Sequence, residues 1–279
     1  MGSVIFTDEE ARYIKAMLGW QDPILDNERR RSKLNGEADA RMKQPVGEFR
    51  ILVAGAKGVG KTSILTRFAE GTFRGEDEPP DPFYERGCRH RTEVDGQLFV
   101  IDALEMPSKH LSSNPMLEQA LNITEGAVLV YDVADAGSLT LAKGLAEFVR
   151  DTVGSREYVL MLVGNKSDVD DEDRAVSWSQ ASKTAAALKL TGSTCSFMEV
   201  SAKTGENVAN LFPVLGKEVL RLKWLGQQRV EQDRSEKMLK QGRLEKKSRQ
   251  NGPVPLKRKM GLWKSLTTPF FRRQDKAAA

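Results

Sequence analysis

Apolar residues between positions 48 and 225 follow two alternating patterns. Short apolar runs predict six strands, over Phe49–Ala54, Arg89–Val94, Gln97–Leu104, Ala127–Val133, Tyr158–Gly164 and Phe197–Val200. Helical spacing predicts helices over Ser63–Ala69, Ser138–Val153, Ala175–Leu190 and Glu206–Leu225, with a loop and a further helix over Glu105–Thr124. Asp95-Gly96 indicates a hairpin between two of the strands. This alternation predicts an α/β fold: a doubly wound, mostly parallel six-stranded sheet with one antiparallel edge strand and helices on both faces.

The chain on either side of this region has a different character. Residues 1–47 contain a capping box at Thr7–Glu10, followed by apolar residues at helical spacing (Tyr13, Ile14, Met17 and Leu18). We expect a short amphipathic helix that packs on the main domain, with a partner-binding helix as the alternative. Residues 27–47 are polar and predict a linker. The predicted organisation is therefore an N-terminal extension at 1–47, one α/β domain at 48–225 and a basic tail at 226–279.

Charge is distributed unevenly along the chain. From Arg221 onward there are 17 Lys or Arg against 5 Asp or Glu, within a net charge of only +4, so the preceding part is acidic. A basic tail on an acidic body predicts that the tail meets an anionic surface. The two cysteines, Cys88 and Cys195, provide neither a disulfide framework nor zinc-ligand spacing. No apolar run approaches the ~18–20 residues of a membrane span, and no secretory signal is visible, so we expect an intracellular protein.

The first predicted strand leads directly into a phosphate-binding pattern. Gly55–Ser63 has the sequence Gly-Ala-Lys-Gly-Val-Gly-Lys-Thr-Ser and matches G-x-x-x-x-G-K-[ST] between a strand and a helix. Successive backbone N–H groups in that geometry surround a polyphosphate, which predicts a P-loop NTPase fold. Lys61 is expected to reach the β- and γ-phosphates as a catalytic residue, and the Thr62 hydroxyl to hold Mg²⁺. The nucleotide-binding residues predicted in this loop are Gly55, Lys57, Gly58, Val59, Gly60, Lys61, Thr62 and Ser63.

Two further segments at strand ends indicate which base is bound. Asn165–Asp168 matches N-K-x-D after one predicted strand, and Ser-Ala-Lys at Ser201–Lys203 follows the next. Ligands of such sheets bind at the carboxyl ends of the strands, so we expect both segments beside the phosphate loop. The Asp168 carboxylate can accept hydrogen bonds from guanine N1–H and the N2 amino group. Adenine offers no such donor pair, which makes an ATP-binding kinase or motor the less favoured interpretation.

These pieces, together with Phe73, occur in the order and spacing of the Ras superfamily of small GTP-binding proteins, which the chain resembles over about residues 48–225. The resemblance implies GTP or GDP and Mg²⁺ as ligands. It also implies a role in signal transduction with effector and exchange-factor proteins. We further expect a monomer, with nucleic acid as the less favoured partner. Asn165 would tie the base loop to the phosphate loop, Lys166 would lie along the base, the Ala202 N–H would meet guanine O6, and Phe73 would pack on the base. The nucleotide-binding residues implied outside the phosphate loop are Phe73, Asn165, Lys166, Asp168, Ser201, Ala202 and Lys203.

In the family, certain residues contact the γ-phosphate or help to cleave it. Two loops of this chain, the phosphate loop and the loop after Phe73, differ from the family at such positions. Lys57 stands where the family has the second glycine of the phosphate loop, and its side chain is expected to crowd the attacking water and an arginine finger. The alternative is that the Lys57 ammonium partly replaces that finger. Phe83, or Pro79-Pro80 in a second alignment, stands where the family has a threonine that completes the Mg²⁺ site. No Ser or Thr lies between Phe73 and Arg91 in the sequence, so this threonine is missing under either alignment.

The second switch segment, Glu105–Lys109, departs from the family pattern as well. Glu105 replaces the aspartate of D-x-x-G and is expected to bind a Mg²⁺-ligated water. Ser108 replaces the flexible glycine, and Pro107 stiffens the segment. Lys109 stands at the position of the water-orienting glutamine and cannot accept a hydrogen bond from water, so it is a defective catalytic residue. These changes predict a Ras-like GTPase with slow hydrolysis; the alternative is a non-hydrolysing guanine-nucleotide-binding scaffold.

The end of the chain combines basic clusters with aromatic residues. Beyond Leu225 the chain is highly charged, and the last helix can continue there as a solvated rod up to Gln250. Residues 255–273 carry six Lys or Arg interleaved with Trp263, Phe270 and Phe271, a composition that suits an anionic membrane surface. We therefore expect a cytoplasmic protein that is peripheral on the cytoplasmic face of a membrane, with nuclear localisation or nucleic-acid binding through the basic runs as the alternative.

Overall fold

A computed structural model of the protein describes residues 44–73, 88–112, 114–188 and 195–250. The predicted N-terminal helix, Phe83 with its alternative Pro79-Pro80, and the basic aromatic segment at 255–273 lie outside the described residues. The chain divides into one compact unit that ends at Val230 and a second that begins at Glu231. All strands of the sheet belong to the first unit.

The described residues form strands and helices in alternation. The strands are β1 (Gly47–Gly55), β2 (Cys88–Val94), β3 (Gln97–Glu105), β4 (Gly126–Asp132), β5 (Val159–Asn165) and β6 (Cys195–Glu199). The α-helices are α1 (Lys61–Glu70), α2 (Asn114–Ile123), α3 (Ala136–Val153), α4 (Trp178–Ala187) and α5 (Val208–Gln250). Short 3₁₀ turns cover Ser108–His110 and Asp171–Asp173.

The six strands form one sheet in the order β2-β3-β1-β4-β5-β6. Only the pair β2 and β3, joined through Asp95-Gly96, is antiparallel among these strands, and all other neighbours are parallel. This confirms the predicted doubly wound, mostly parallel sheet with one antiparallel edge strand. Because β1, β3, β4, β5 and β6 run in the same direction, the segments that follow them lie at one rim of the sheet.

The central strand β1 is buried on both faces. Leu52 and Ala54 belong to a core with apolar residues of α2, α3 and α4. Ile51 and Val53 point to the opposite face and pack with α1 and α5. All four are 0 % exposed, and burial of a Leu, Ile or Val side chain contributes roughly 1.5–3 kcal/mol. Packing from both sides therefore fixes the direction in which β1 enters the phosphate loop.

Helix α4 begins three residues later than predicted, at Trp178 and not at Ala175. The Ser177 side chain accepts a hydrogen bond from the Gln180 N–H at 3.2 Å, so Ser177 is the N-cap. Apolar spacing alone did not distinguish the residues before this cap from the helix that follows.

Helix α5 continues well beyond Leu225, to Gln250. Its residues 231–241 are exposed, which confirms the predicted continuation as a solvated helix. Within the described ranges no helix has both the length and the apolar character needed to cross a membrane.

Candidate nucleotide-binding site

The phosphate loop between β1 and α1 has a backbone that requires glycine at two positions. Gly58 and Gly60 have φ angles of 82° and 89°, in the left-handed region that favours glycine. A Cβ at Gly60 would lie 2.2 Å from the Asn165 amide nitrogen, whereas a Cβ at Gly58 would meet no atom within 4 Å. Gly60 therefore serves both the loop conformation and the close approach of Asn165, and α1 begins at the next residue.

Lys61 lies at the start of α1 with its side chain along the phosphate loop. Its Nζ donates to the Gly55 carbonyl at 3.0 Å and to the Ala56 carbonyl at 2.9 Å, and the residue is 6 % exposed. Burial lowers the pKa of the Lys61 ammonium, and the nearby Glu105 carboxylate opposes this effect. An ammonium has three N–H donors. Two of them engage the loop, and the third is the one with which Lys61 can meet a phosphate oxygen.

Thr62 and Glu105 bring oxygen atoms together where α1 faces the end of β3. The Thr62 hydroxyl lies 2.9 Å from both carboxylate oxygens of Glu105, which is almost fully buried. Magnesium prefers oxygen ligands and usually binds through one or two carboxylates together with substrate phosphates. The hydroxyl and carboxylate oxygens of this pair therefore fit the Mg²⁺ that the phosphate-loop pattern implies.

Asn165 connects the phosphate loop with the segment that follows β6. Its side chain is buried, and Nδ2 donates to the Val59 carbonyl at 2.8 Å. Its Oδ1 accepts a hydrogen bond from the Ala202 N–H at 3.1 Å. The Ala202 N–H, predicted to meet guanine O6, is thus engaged with Asn165. Through this one amide, Val59 and Ala202 are held at a fixed separation.

Asp168 presents a carboxylate held by the residues of the Ser-Ala-Lys segment. Its Oδ1 accepts a hydrogen bond from the Ser201 hydroxyl at 2.6 Å, and its Oδ2 lies 3.5 Å from the Lys203 Nζ. Burial raises the pKa of Asp168, but the Ser201 hydrogen bond and the Lys203 charge act against it, and the pKa lies below its usual value. The carboxylate is therefore ionised near neutral pH and acts as a hydrogen-bond acceptor.

Two rim residues that contact this site were missed by the sequence analysis. Asp132, at the end of β4, forms an ion pair with the Lys166 Nζ at 2.7 Å and so fixes the direction of the Lys166 side chain. Arg67, in the last turn of α1, donates from Nε to the Ala202 carbonyl at 2.9 Å, from Nη1 to the Gly71 carbonyl at 2.7 Å, and from Nη2 to the Lys203 carbonyl. The sequence signal at Arg67 is a basic residue in the last turn of a helix. Such a residue predicts a contact with the last carbonyls of its own helix, so the contacts with Ala202 and Lys203 were not predicted.

Lys57 and Lys109 line the same cavity beside the phosphate loop. The cavity has a volume of about 760 Å³, and its other lining residues are mostly apolar side chains of the second switch region, α2 and α3. Ser108 and Lys109 lie in a 3₁₀ turn that follows Pro107, and Lys57 and Lys109 are both exposed. The lysines that stand at the glycine and glutamine positions of the family pattern therefore face one cavity.

Two further predicted site residues, Ser63 and Phe73, lie among the described residues. Ser63 is half-buried in the first turn of α1, and Phe73 is 40 % exposed at the end of a described range. The packing of Phe73 on a base stays a prediction.

The chain is similar in sequence to known proteins over most of its α/β domain. A sequence model described as the Ras family matches residues 50–221. The human Ras-related and estrogen-regulated growth inhibitor is 33 % identical over 175 residues, which cover 62 % of this chain and 82 % of that protein. The GTP-binding protein Di-Ras2 of Mus musculus is 34 % identical over 177 residues, covering 62 % and 83 %. The Ras-like protein rasX of Dictyostelium discoideum is 31 % identical over 163 residues, covering 58 % and 72 %. The chain therefore belongs to the Ras family of small GTPases.

Proposed function

We propose that the protein binds GTP and GDP together with Mg²⁺ and acts in intracellular signal transduction as a GTPase that hydrolyses GTP slowly. The observation that carries this proposal is a contrast at one rim of the sheet. Asn165 and Asp168 retain a network suited to a guanine nucleotide, whereas Lys57 and Lys109 line one cavity where the family pattern has glycine and glutamine. In this role an exchange factor would load the nucleotide, and effector proteins would bind the loaded form.

The phosphates, the base and the metal ion would each meet a group of this chain that suits them. The N-terminus of α1 and the Lys61 ammonium suit the phosphates. The ionised Asp168 carboxylate suits the two N–H donors on the guanine edge. Thr62 and Glu105 are the residues that would hold Mg²⁺, which supplies positive charge to offset that of the phosphates.

Hydrolysis requires a water molecule that is oriented for attack on the γ-phosphorus. The attack forms a bond from the water oxygen to phosphorus and breaks the bond to the β–γ bridging oxygen, giving GDP and phosphate. An ammonium only donates hydrogen bonds, so Lys109 can attract the γ-phosphate but cannot accept a hydrogen bond from the attacking water. Lys57 lines the same cavity and adds a second cation without an acceptor. The site therefore stabilises the charge of GTP better than it orients the nucleophile.

A scaffold that binds guanine nucleotide without hydrolysing it is the second candidate. The 3₁₀ turn after Pro107 favours it, because the His110 N–H donates to the Pro107 carbonyl at 2.9 Å and leaves the second switch segment already folded. A scaffold should show equal hydrogen exchange over residues 106–112 with GDP and with a non-hydrolysable GTP analogue. A signalling GTPase should show a difference between the two complexes.

The test of the proposed binding activity is to release and identify the nucleotide that copurifies with the protein, and then to compete labelled GDP with GTP and ATP. GDP or GTP should be recovered, and GTP should compete far better than ATP. Equal competition by ATP and GTP would overturn the proposal.

We also propose that residues 255–273 attach the protein reversibly to anionic membrane on the cytoplasmic side. The support is in the sequence: each Lys or Arg near an anionic surface contributes about 1 kcal/mol, and Trp263, Phe270 and Phe271 can enter the interface. Binding should weaken as salt rises, because salt screens the attraction.

Sedimentation with vesicles of anionic and of neutral lipid tests the attachment. Removal of residues 255–279 should abolish binding to the anionic vesicles without changing GDP affinity. If the full chain ignores anionic vesicles and accumulates in the nucleus of cells, the segment is a nuclear targeting signal and the membrane proposal is wrong.

A further inference from the structure

The Arg67 guanidinium binds main-chain carbonyls of two different segments. Nε and Nη2 donate to Ala202 and Lys203, successive residues of the base loop that follows β6. Nη1 donates to Gly71, the residue that ends α1 and lies two positions before Phe73. Gly71 has a φ of 71°, and its own N–H donates to the Arg67 carbonyl at 2.9 Å. Arg67 therefore joins the end of α1 to the base loop.

Ala202 is held from both sides by these contacts. Its N–H donates to Asn165, whose amide group in turn contacts the Val59 carbonyl of the phosphate loop. Its carbonyl accepts from Arg67, which belongs to the helix that begins at the phosphate loop. The contacts close a ring: phosphate loop, Asn165, Ala202, Arg67 and α1. A shift of the base loop away from the nucleotide must break this ring at Asn165 or at Arg67.

We propose that Arg67 is a positioning residue that holds the base loop against the guanine and so slows nucleotide release; the proposal rests on the nucleotide site described above. Arg67 acts through Ala202 and Lys203, and Lys203 in turn lies beside the Asp168 carboxylate. Its contact with Gly71 links the same loop to the C-terminal end of α1. A partner that pulls the Gly71 carbonyl away would weaken the base loop at the same time.

The test compares Arg67→Met and Arg67→Lys with the unmodified chain. Methionine keeps an unbranched stem and removes every donor, whereas lysine keeps the charge and one donor group. Release of fluorescently labelled GDP into excess GDP gives the dissociation rate. We expect release about tenfold faster for Arg67→Met, because hydrogen bonds from a charged donor to the base loop are lost. The rate for Arg67→Lys should lie between the two.

Arg156→Met is the matched control for a general loss of stability. The Arg156 guanidinium also donates to main-chain carbonyls at a helix end, to Leu121 at 2.5 Å and Asn122 at 3.3 Å. Arg156 precedes β5 and therefore lies at the amino ends of the strands, whereas the nucleotide rim is at their carboxyl ends. Both methionine variants should lower the thermal unfolding midpoint, but only Arg67→Met should speed GDP release. Equal acceleration in both, or release within twofold of the unmodified rate for Arg67→Met, would overturn the proposal.

Amide hydrogen exchange separates this inference from the nucleotide proposal itself. The Ala202 N–H and the Gly205 N–H, which donates to Ser201 at 2.8 Å, should exchange faster in Arg67→Met than in Arg156→Met. Faster exchange in a protein that fails to bind any guanine nucleotide would support the positioning by Arg67 and reject the proposed function. Unchanged exchange of both amides would reject the positioning.

Discussion

The base-binding loops and the second switch segment lie at the same rim of the sheet, but they are organised differently. The base loops are tied to the phosphate loop and to each other by Asn165, by Arg67 and by the Ser201–Asp168 hydrogen bond. The second switch segment folds on itself in a 3₁₀ turn after Pro107 and brings Lys109 to the cavity that Lys57 also lines. The first region keeps the family pattern, and in the second Ser108 and Lys109 stand where that pattern has glycine and glutamine.

On the proposed function, this difference would mean that nucleotide binding and hydrolysis depend on separate sets of contacts. Asn165 contacts Val59 and Ala202, and Asp168 contacts Ser201, whereas Lys109 lies in the 3₁₀ turn after Pro107. A chain can therefore change its hydrolytic residues without losing the network that holds the nucleotide.

Among substitutions that test this comparison, Asp168→Asn should cause the largest loss of affinity for guanine nucleotides. The amide loses the charge that accepts two guanine N–H groups, and we expect GTP affinity to fall on the order of 100-fold or more. Xanthine nucleotides, which present a carbonyl where guanine has its amine, should gain affinity. Asp95→Asn is the control, because Asp95 pairs with Lys217 at the β2–β3 hairpin and should leave binding unchanged. Retained guanine preference in Asp168→Asn would contradict the assignment of the base loop.

Two alanine substitutions in the phosphate loop separate backbone strain from the Asn165 connection. Gly58→Ala and Gly60→Ala both place a Cβ at positive φ, which costs roughly 1–2 kcal/mol. At Gly60 the Cβ would also meet the Asn165 amide at 2.2 Å, so we expect a clearly larger loss in the free energy of unfolding. Urea unfolding of nucleotide-free protein measures both. Equal losses would show that Asn165 can move aside without cost.

Restoring the family's residues at Lys109 and Lys57, one at a time, tests how much each altered position limits the rate of GTP hydrolysis. Lys109→Gln supplies an acceptor for water, and Lys57→Gly removes the crowding side chain. Each alone is expected to raise the single-turnover rate by less than about threefold, because catalytic groups of one site act as a unit. The double variant should exceed the product of the two single effects. A large gain from Lys109→Gln alone would mean that the rest of the hydrolytic site is intact.

The smallest change in the free energy of unfolding is expected for Tyr131→Phe, a substitution in the core next to the base loop. The Tyr131 hydroxyl is fully buried, has no hydrogen-bond partner among the described residues, and would lie 2.5 Å from a Cβ at Gly164, next to Asn165. Tyr131→Phe should therefore leave the free energy of unfolding within about 1 kcal/mol of the original or increase it, with GDP affinity unchanged.

The matched variant is Tyr158→Phe. The Tyr158 hydroxyl is also buried, but it lies 2.8 Å from the Thr124 hydroxyl, and its loss should cost about 1 kcal/mol. A loss for Tyr131→Phe as large as that for Tyr158→Phe would indicate that the Tyr131 hydroxyl has a partner.

Local sequence patterns predicted the parts of the site that depend on backbone geometry. The phosphate loop and Asn165–Asp168 were predictable because glycine spacing and strand ends specify them within a few residues. The hairpin at Asp95-Gly96 and the exposed continuation of α5 followed from equally local signals. Arg67 was not predictable, because its partners at Ala202 and Lys203 lie about 135 residues away along the chain. The shared cavity of Lys57 and Lys109 likewise depends on how the second switch segment folds against α3.

Single-turnover hydrolysis of preloaded GTP with Mg²⁺ tests the central claim most directly. The protein and a Ras protein with glycine and glutamine at the two altered positions are loaded with GTP, and bound GTP and GDP are followed over time in the same buffer. We predict that both proteins retain nucleotide through the measurement and that this chain converts GTP to GDP clearly more slowly. Equal rates, or failure of this chain to retain GTP, would contradict the division between an intact binding side and an altered hydrolytic side.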